Sequence, residues 1–253
     1  MSLADCAELV KEADEDRFLS AMAANPEQRA ALFPLYAFNV EVFRAAWASN
    51  EPMLCQMRLQ YWRDMVEGIY ARAPSQVVPL AGPLAEVIKQ GGLNKEHLLE
   101  MIDARSWDTG RDPFESPAHF SRYLEQTAGN LMVQAARVTG VKGHDYGAIM
   151  AHGYAMGLAN FLIGVPDLIA HGRKPLLDES AQAIADLAAE GLQRMQAVKG
   201  RKIHGGQAAL RAGWDSKRVL KLVAKHPDRV LQGRLQTSPF RRKTSLLMMS
   251  FMG

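Results

Sequence analysis

The stretch Ala148–Pro166, AIMAHGYAMGLANFLIGVP, decides how this chain is read. Wound as a helix it is apolar on nearly every face, the pattern of a helix buried on all sides. Its length would also cross a bilayer. His152 and Asn160 interrupt the apolar run, and Gly153, Gly157 and Gly164 let neighbouring helices approach closely. No second apolar run or matching flank accompanies it, so it reads as the central helix of a bundle rather than a membrane span.

Helical periodicity continues outward from this segment in both directions. It predicts helices over Ala4–Met22, Pro26–Ser49, Pro52–Arg72, Gln76–Gln90, Lys95–Asp108, Pro117–Thr139, His144–Ala170 and Glu179–Val198. Asn25-Pro26 and Ser116-Pro117 place a capping residue and a first-turn proline where helices should start. Asn94 and Asp178 stand where they would cap the helices that follow, and Gly91-Gly92 and Gly140 stand where helices should stop. Gly205-Gly206, Pro227 and Pro239 break the C-terminal region into short pieces. No stretch alternates apolar and polar residues long enough for a strand, and no internal repeat or low-complexity linker is present. The expectation is an all-α, single-domain helical bundle over residues 1–253 with a basic C-terminal region, 198–253.

Composition fits that architecture. Apolar residues make up 48% of the chain and charged residues 23%, ordinary for a globular domain with a sizeable core. Cys6 and Cys55 lie far apart without CxxC spacing, which predicts a reducing compartment and no disulfide framework. The first helix is studded with Asp, Glu and Lys and does not read as a signal peptide. Charge is uneven: 198–253 holds 13 Lys and Arg against 2 Asp, while the chain as a whole is only +3. A basic quarter on an acidic body predicts an anionic partner. The final stretch SPFRRKTSLLMMSFMG (Ser238–Gly253) joins Arg241, Arg242 and Lys243 to an apolar end with Leu246, Leu247 and Phe251. It could lie on an anionic membrane or cover a groove of the bundle. The cluster lacks a recognition helix or an aromatic stacking platform, so nucleic acid is not expected.

Three segments carry a family resemblance. Asp16-Arg17-Phe18-Leu19 is followed by PEQRAALFPLYAFNVEVFRAAW (Pro26–Trp47), then YLEQTAGNLM (Tyr123–Met132), then GYAMGLANFLIGVPDLIAHGRKPLL (Gly153–Leu177). In this order and spacing they resemble the squalene/phytoene synthase family. The resemblance implies an isoprenoid-synthase bundle. In active members, two pairs of aspartates on facing helices hold Mg²⁺ against the diphosphate leaving group. Aligned on Tyr36-Ala37-Phe38, the first pair falls at Phe43 and Trp47. Aligned on Asn160, the second falls at Gly164 and Leu168. None of the four is acidic, and the one-residue slip to Asp167 turns a side chain by about 100°. MRLQYWRDMVEGIY (Met57–Tyr70), with Tyr36–Glu41, resembles the non-catalytic branch that includes a mitochondrial assembly factor for respiratory complex I and its bacterial relatives.

The reading of function follows from that mismatch. The chain is expected to act by binding, in assembling a membrane respiratory complex or as an isoprenoid-lipid binder, with no catalytic residue, metal ligand or cofactor assigned. Mg²⁺ would enter only in the alternative, a prenyltransferase with an unconventional metal site. Glu12/Asp16 and Asp108/Asp112 have i,i+4 spacing but stand elsewhere, and the seven histidines show no metal-binding spacing. The candidate ligand cavity comprises Phe38, Phe43, Trp47, Arg58, Trp62, Asn130, Asn160 and Gly164. The structural alternatives are aromatic core packing for the rings, a solvated helix face with ion pairs for Arg58 and Arg63, and internal hydrogen bonds for Asn130 and Asn160 in the bundle interior. Arg173 and Lys174 read as surface charge. The candidate membrane or partner contact is Arg241, Arg242, Lys243, Leu246, Leu247 and Phe251. The expected location is the cytoplasm, peripheral on the inner face of the membrane. An open apolar cavity of several hundred Å³ would favour lipid binding, and a filled one a scaffold.

Overall fold

Ser2 begins the first helix with a reciprocal cap. Its hydroxyl accepts from the Asp5 N–H while the Asp5 carboxylate accepts from the Ser2 N–H, which satisfies two of the donors a helix start leaves open. The structure is a computed structural model that describes residues 1–73 and 79–235. Among these residues all regular secondary structure is helical: α1 Leu3–Ala13, α2 Glu15–Met22, α3 Pro26–Ala46, α4 Pro52–Tyr70, α5 Ala81–Lys89, α6 Lys95–Ala104, α7 Pro117–Leu124, α8 Asn130–Val138, α9 Tyr146–Ala170, α10 Ala181–Arg194, α11 Gln207–Leu210, α12 Ser216–Lys225 and α13 Asp228–Leu231. Asn25, Asn94 and Ser116 cap α3, α6 and α7 through their side chains. Gly91 and Gly140 take the positive φ that ends α5 and α8.

The apolar α9 lies between two cores. It gives Ile149 and Met156 to one, built with Leu32, Phe38, Trp62 and Leu98. It gives Tyr154, Leu158, Leu162 and Val165 to the other, built with Phe114, Phe120, Ile184 and Leu220. A helix wedged between two packed layers needs apolar residues all round, which is why this segment also matches a membrane span by length and composition alone. Two of its glycines serve close packing. A Cβ on Gly153 would stand 2.9 Å from the Gly129 Cα and 3.0 Å from the Ala128 carbonyl oxygen, and one on Gly157 would stand 2.5 Å from the Ala128 Cβ.

Four expected helices are broken or shortened. Ala4–Met22 is two helices, because Asp14 leaves helical geometry (φ −149°, ψ 79°) and its side chain caps α2 at the Arg17 N–H. Pro117–Thr139 contains a π-helical turn at Glu125–Gly129, on the stretch that Gly153 presses against. Lys95–Asp108 tightens into a 3₁₀ turn from Arg105. In the expected Glu179–Val198 helix, Ser180 and not Asp178 caps α10. Asp178 instead accepts from the Ser180 N–H.

Candidate functional site

The end of α3 meets the chain just after α9. The Trp47 ring lies edge-on to His171, with centroids 5.8 Å apart. The Arg173 guanidinium sits over the Trp47 indole, 4.3 Å from its centroid. Phe43 lies one turn earlier on α3, 6.2 Å from Trp47, and the Arg105 guanidinium stands 5.2 Å from its ring. Arg173 is buried and donates to the Trp107 and Asp108 carbonyls. Its reading as surface charge is therefore corrected: two carbonyls from a 3₁₀ turn about 65 positions away draw it inward. Arg105 donates to Asp108 and to the Tyr123 hydroxyl, and Tyr123 donates to Asp108. Burial pushes the Tyr123 phenol up, so it stays a neutral donor.

This geometry tests whether the chain can hold Mg²⁺ where the resemblance implies it. Mg²⁺ takes oxygen ligands in near-octahedral geometry. Phe43 and Trp47 offer aromatic faces, and those faces carry the chain's own cations. Gly164 is half-buried with nothing among the described residues within 4 Å of where a Cβ would stand, and Leu168 is half-buried. Asp108, the buried carboxylate near the first pair, is committed to Arg105 and Tyr123. Asp167 is exposed. The residues present do not fit the two carboxylate clamps. Among the described residues no three His, Cys, Asp or Glu side chains gather where they could hold a metal.

The other candidate residues scatter. Phe38 and Trp62 are buried and pack edge to face at 6.1 Å, as core. Asn130 is buried and donates to Glu100 at 2.8 Å. Asn160 is not in the interior as expected. It is exposed and lines a cavity of about 470 Å³ with Glu12, Asp14, Asp16, Arg17 and Asp215 among its walls. The Glu12/Asp16 spacing is split by the break at Asp14, yet both residues face this cavity. Arg58 is exposed without an ion pair among the described residues. Arg63 pairs with Asp103 at 2.6 Å and Glu67 at 3.4 Å. Arg241, Arg242, Lys243, Leu246, Leu247 and Phe251 lie outside the described residues. Sequence reasoning missed Arg105, Asp108 and Tyr123 as a unit. The buried position of Asp108 beside Trp107 became visible only when α7 brought Tyr123 onto it.

The comparisons with known proteins agree with this fold. Residues 10–177 match the squalene/phytoene synthase family. The chain is 28% identical over 162 residues to human NADH dehydrogenase (ubiquinone) complex I, assembly factor 6, covering 64% of this chain and 48% of that protein. It is 31% identical to the Drosophila melanogaster homolog over 170 residues, 64% of this chain and 50% of that one. It is also 29% identical over 168 residues to presqualene diphosphate synthase of Sinorhizobium fredii, covering 64% of this chain and 58% of that enzyme. The chain thus spans about half the length of these curated relatives. A dehydrosqualene synthase crystal structure superposes with a TM-score of 0.81 at 16% identity, covering 99% of this chain and 95% of that one. The squalene synthase HpnC from Alicyclobacillus acidocaldarius superposes with a TM-score of 0.71 at 17% identity, over 91% and 94%.

Proposed function

This chain belongs to the squalene/phytoene synthase family, and we propose that within it the chain works by binding, in the assembly of a membrane respiratory complex, and not by prenyl transfer. One observation carries the reading: Phe43 and Trp47, which stand where the family resemblance puts the first pair of metal-binding carboxylates, are aromatic and carry the guanidiniums of Arg105 and Arg173 on their rings. Prenyl coupling in this fold needs cations to neutralise a departing diphosphate. Here two of the four positions are instead part of the fixed packing between α3, the Arg105 turn and the end of α9.

The similarity to complex I assembly factors supports the assembly role, and the packing of two candidate cavity residues against each other favours a scaffold over a lipid carrier. Phe38 and Trp62 pack edge to face, and the cavity at Asn160 is lined by carboxylates that a prenyl chain would have to strip of water without replacing their hydrogen bonds. α4 also exposes Met53, Leu54 and Met57 in its first two turns, adaptable apolar side chains of the kind that meet protein partners. We place the chain on the inner face of a membrane, held there peripherally. A prenyltransferase reading rests on the similarity to presqualene diphosphate synthase, and the absent donor set weighs against it. The assembly role is tested by deleting the gene in its own cell and measuring NADH:quinone oxidoreductase activity of the membranes. A loss restored by the chain supports it, and unchanged activity and complex abundance would remove it.

A further inference from the structure

The basic quarter of the chain has a described part that the assembly reading does not use. Residues 198–235 hold ten Lys and Arg against two acids, Asp215 and Asp228. α12 displays three of the cations in order. Its Val219, Leu220 and Val223 are buried in the second core, and a Cβ on Gly191 of α10 would stand 2.9 Å from Leu220 Cδ1. That packing fixes the helix. Spacing of four residues then sets Lys217, Lys221 and Lys225 in one column on its outer face, about 12 Å long given the rise of a helix. All three are exposed.

Like charges one turn apart repel, and an anionic partner relieves that repulsion. The chain does not supply one. No ion pair among the described residues includes Lys217, Lys221 or Lys225. Asp215 pairs with Arg218, and Asp228 accepts from Gln232. On the adjacent α10, Asp186 accepts from Gln182 and Glu190 pairs with Arg194. Residues 74–78 and 236–253 contain no Asp or Glu. Any partner anion therefore comes from outside the chain. Its kind follows from what accompanies the charge. α12 exposes no apolar or aromatic side chain, whereas a protein interface has a desolvated apolar core and single-stranded nucleic acid needs a stacking platform. Lysines also lack the planar fork that matches one phosphate or carboxylate. An anionic bilayer asks for none of these, because its surface potential acts on each cation within a Debye length. We propose that Lys217, Lys221 and Lys225 form the face that lies against an anionic lipid bilayer, with α12 parallel to the membrane plane. The inference rests on the peripheral placement proposed above, and not on the assembly role, and names a surface that makes it.

The test sediments the full chain with vesicles of equal parts phosphatidylglycerol and phosphatidylcholine, at about 0.1 M salt, where the Debye length is about 10 Å. Lys217→Gln, Lys221→Gln and Lys225→Gln together should lower the partition coefficient about a hundredfold, about fivefold for each lysine. A second triple, Lys89→Gln, Lys95→Gln and Lys142→Gln, removes the same charge from α5, α6 and the turn before α9 and should bind nearly as the parent does. Equal losses in the two triples, or no loss in the first, would overturn the face and leave the peripheral placement standing. A parent chain that ignores anionic vesicles would overturn both. Lysine-dependent retention on duplex DNA without vesicle binding would give the face to nucleic acid and overturn the proposal. If the first triple melts early, its three single variants are read instead, each expected to lose about fivefold.

Discussion

The Arg173 guanidinium covers the Trp47 indole at 4.3 Å and so ties the segment after α9 to the end of α3. The same side chain satisfies the Trp107 and Asp108 carbonyls. Arg173→Ala removes the cation–π contact and strands two buried acceptors, at a cost of about 2–4 kcal/mol. Melting should fall by about 4–16 °C, given about 2–4 °C per kcal/mol for a domain of this size. Arg173→Lys keeps the charge but not the fork and should recover less than half of that loss. An Arg173→Ala protein that melts with the parent would show that the contact contributes nothing.

Two glycines on α9 should respond in opposite directions to one added methyl. At Gly153 the methyl meets backbone atoms of Gly129 and Ala128 that cannot swing aside, and Gly153→Ala should cost about 1–3 kcal/mol from overpacking. At Gly164 it meets open space, and Gly164→Ala should be neutral or stabilise by up to about 1 kcal/mol through helix propensity. Denaturant midpoints of the two variants check this. Equal shifts would contradict the packing described for α9.

The sequence made α9 legible because burial on all sides leaves a composition signal that needs no knowledge of neighbours. The caps at Asn25, Asn94 and Ser116 were legible for the same reason, since each acts within three residues. What could not be read depended on distant contacts. Asp14 breaks the first helix by capping the next one, while the surrounding charged residues read as continuous helix. The π turn at Glu125–Gly129 stands against Gly153, and no local pattern announces it. Of the candidate site, the loss of the carboxylates was legible by position. The seating of Arg105 and Arg173 on the rings of Phe43 and Trp47 was not, because the two arginines reach them only after folding. Asn160 carries a buried helix's sequence context but faces a cavity made by the α1–α2 break.

Acid should weaken the fold through His152. Burial pulls its pKa down to about 4 from 6.5, and its Nδ1 is buried without a partner. Between those values the unfolded chain binds a proton that the folded chain refuses, so the contribution is whole above about pH 6.5 and is lost as pH falls toward 4. The upper bound is about 3 kcal/mol. Melting followed from about pH 7 to pH 4.5 should drop more steeply for the parent than for His152→Gln. Parallel profiles would assign the acid sensitivity to other groups.

The proposed binding to anionic membranes should depend on the basic, apolar end. Arg241, Arg242 and Lys243 would supply about 3 kcal/mol at an anionic surface in low salt, and insertion of Leu246, Leu247 and Phe251 would add apolar burial of similar size. Co-sedimentation of the full chain with anionic vesicles should exceed that of a chain ending at Thr237, and should weaken as salt rises. Equal binding by the shorter chain, or by neutral vesicles, would contradict this.

One incubation separates the proposed binding role from prenyl coupling. The purified chain is mixed with farnesyl or geranylgeranyl diphosphate and Mg²⁺, and both coupled hydrocarbon and released diphosphate are measured against heat-killed protein. With Phe43, Trp47, Gly164 and Leu168 in place of the carboxylates, neither product should rise above that control. Mg²⁺-dependent formation of a coupled prenyl product would contradict the account and restore the chain to the enzymes of its family.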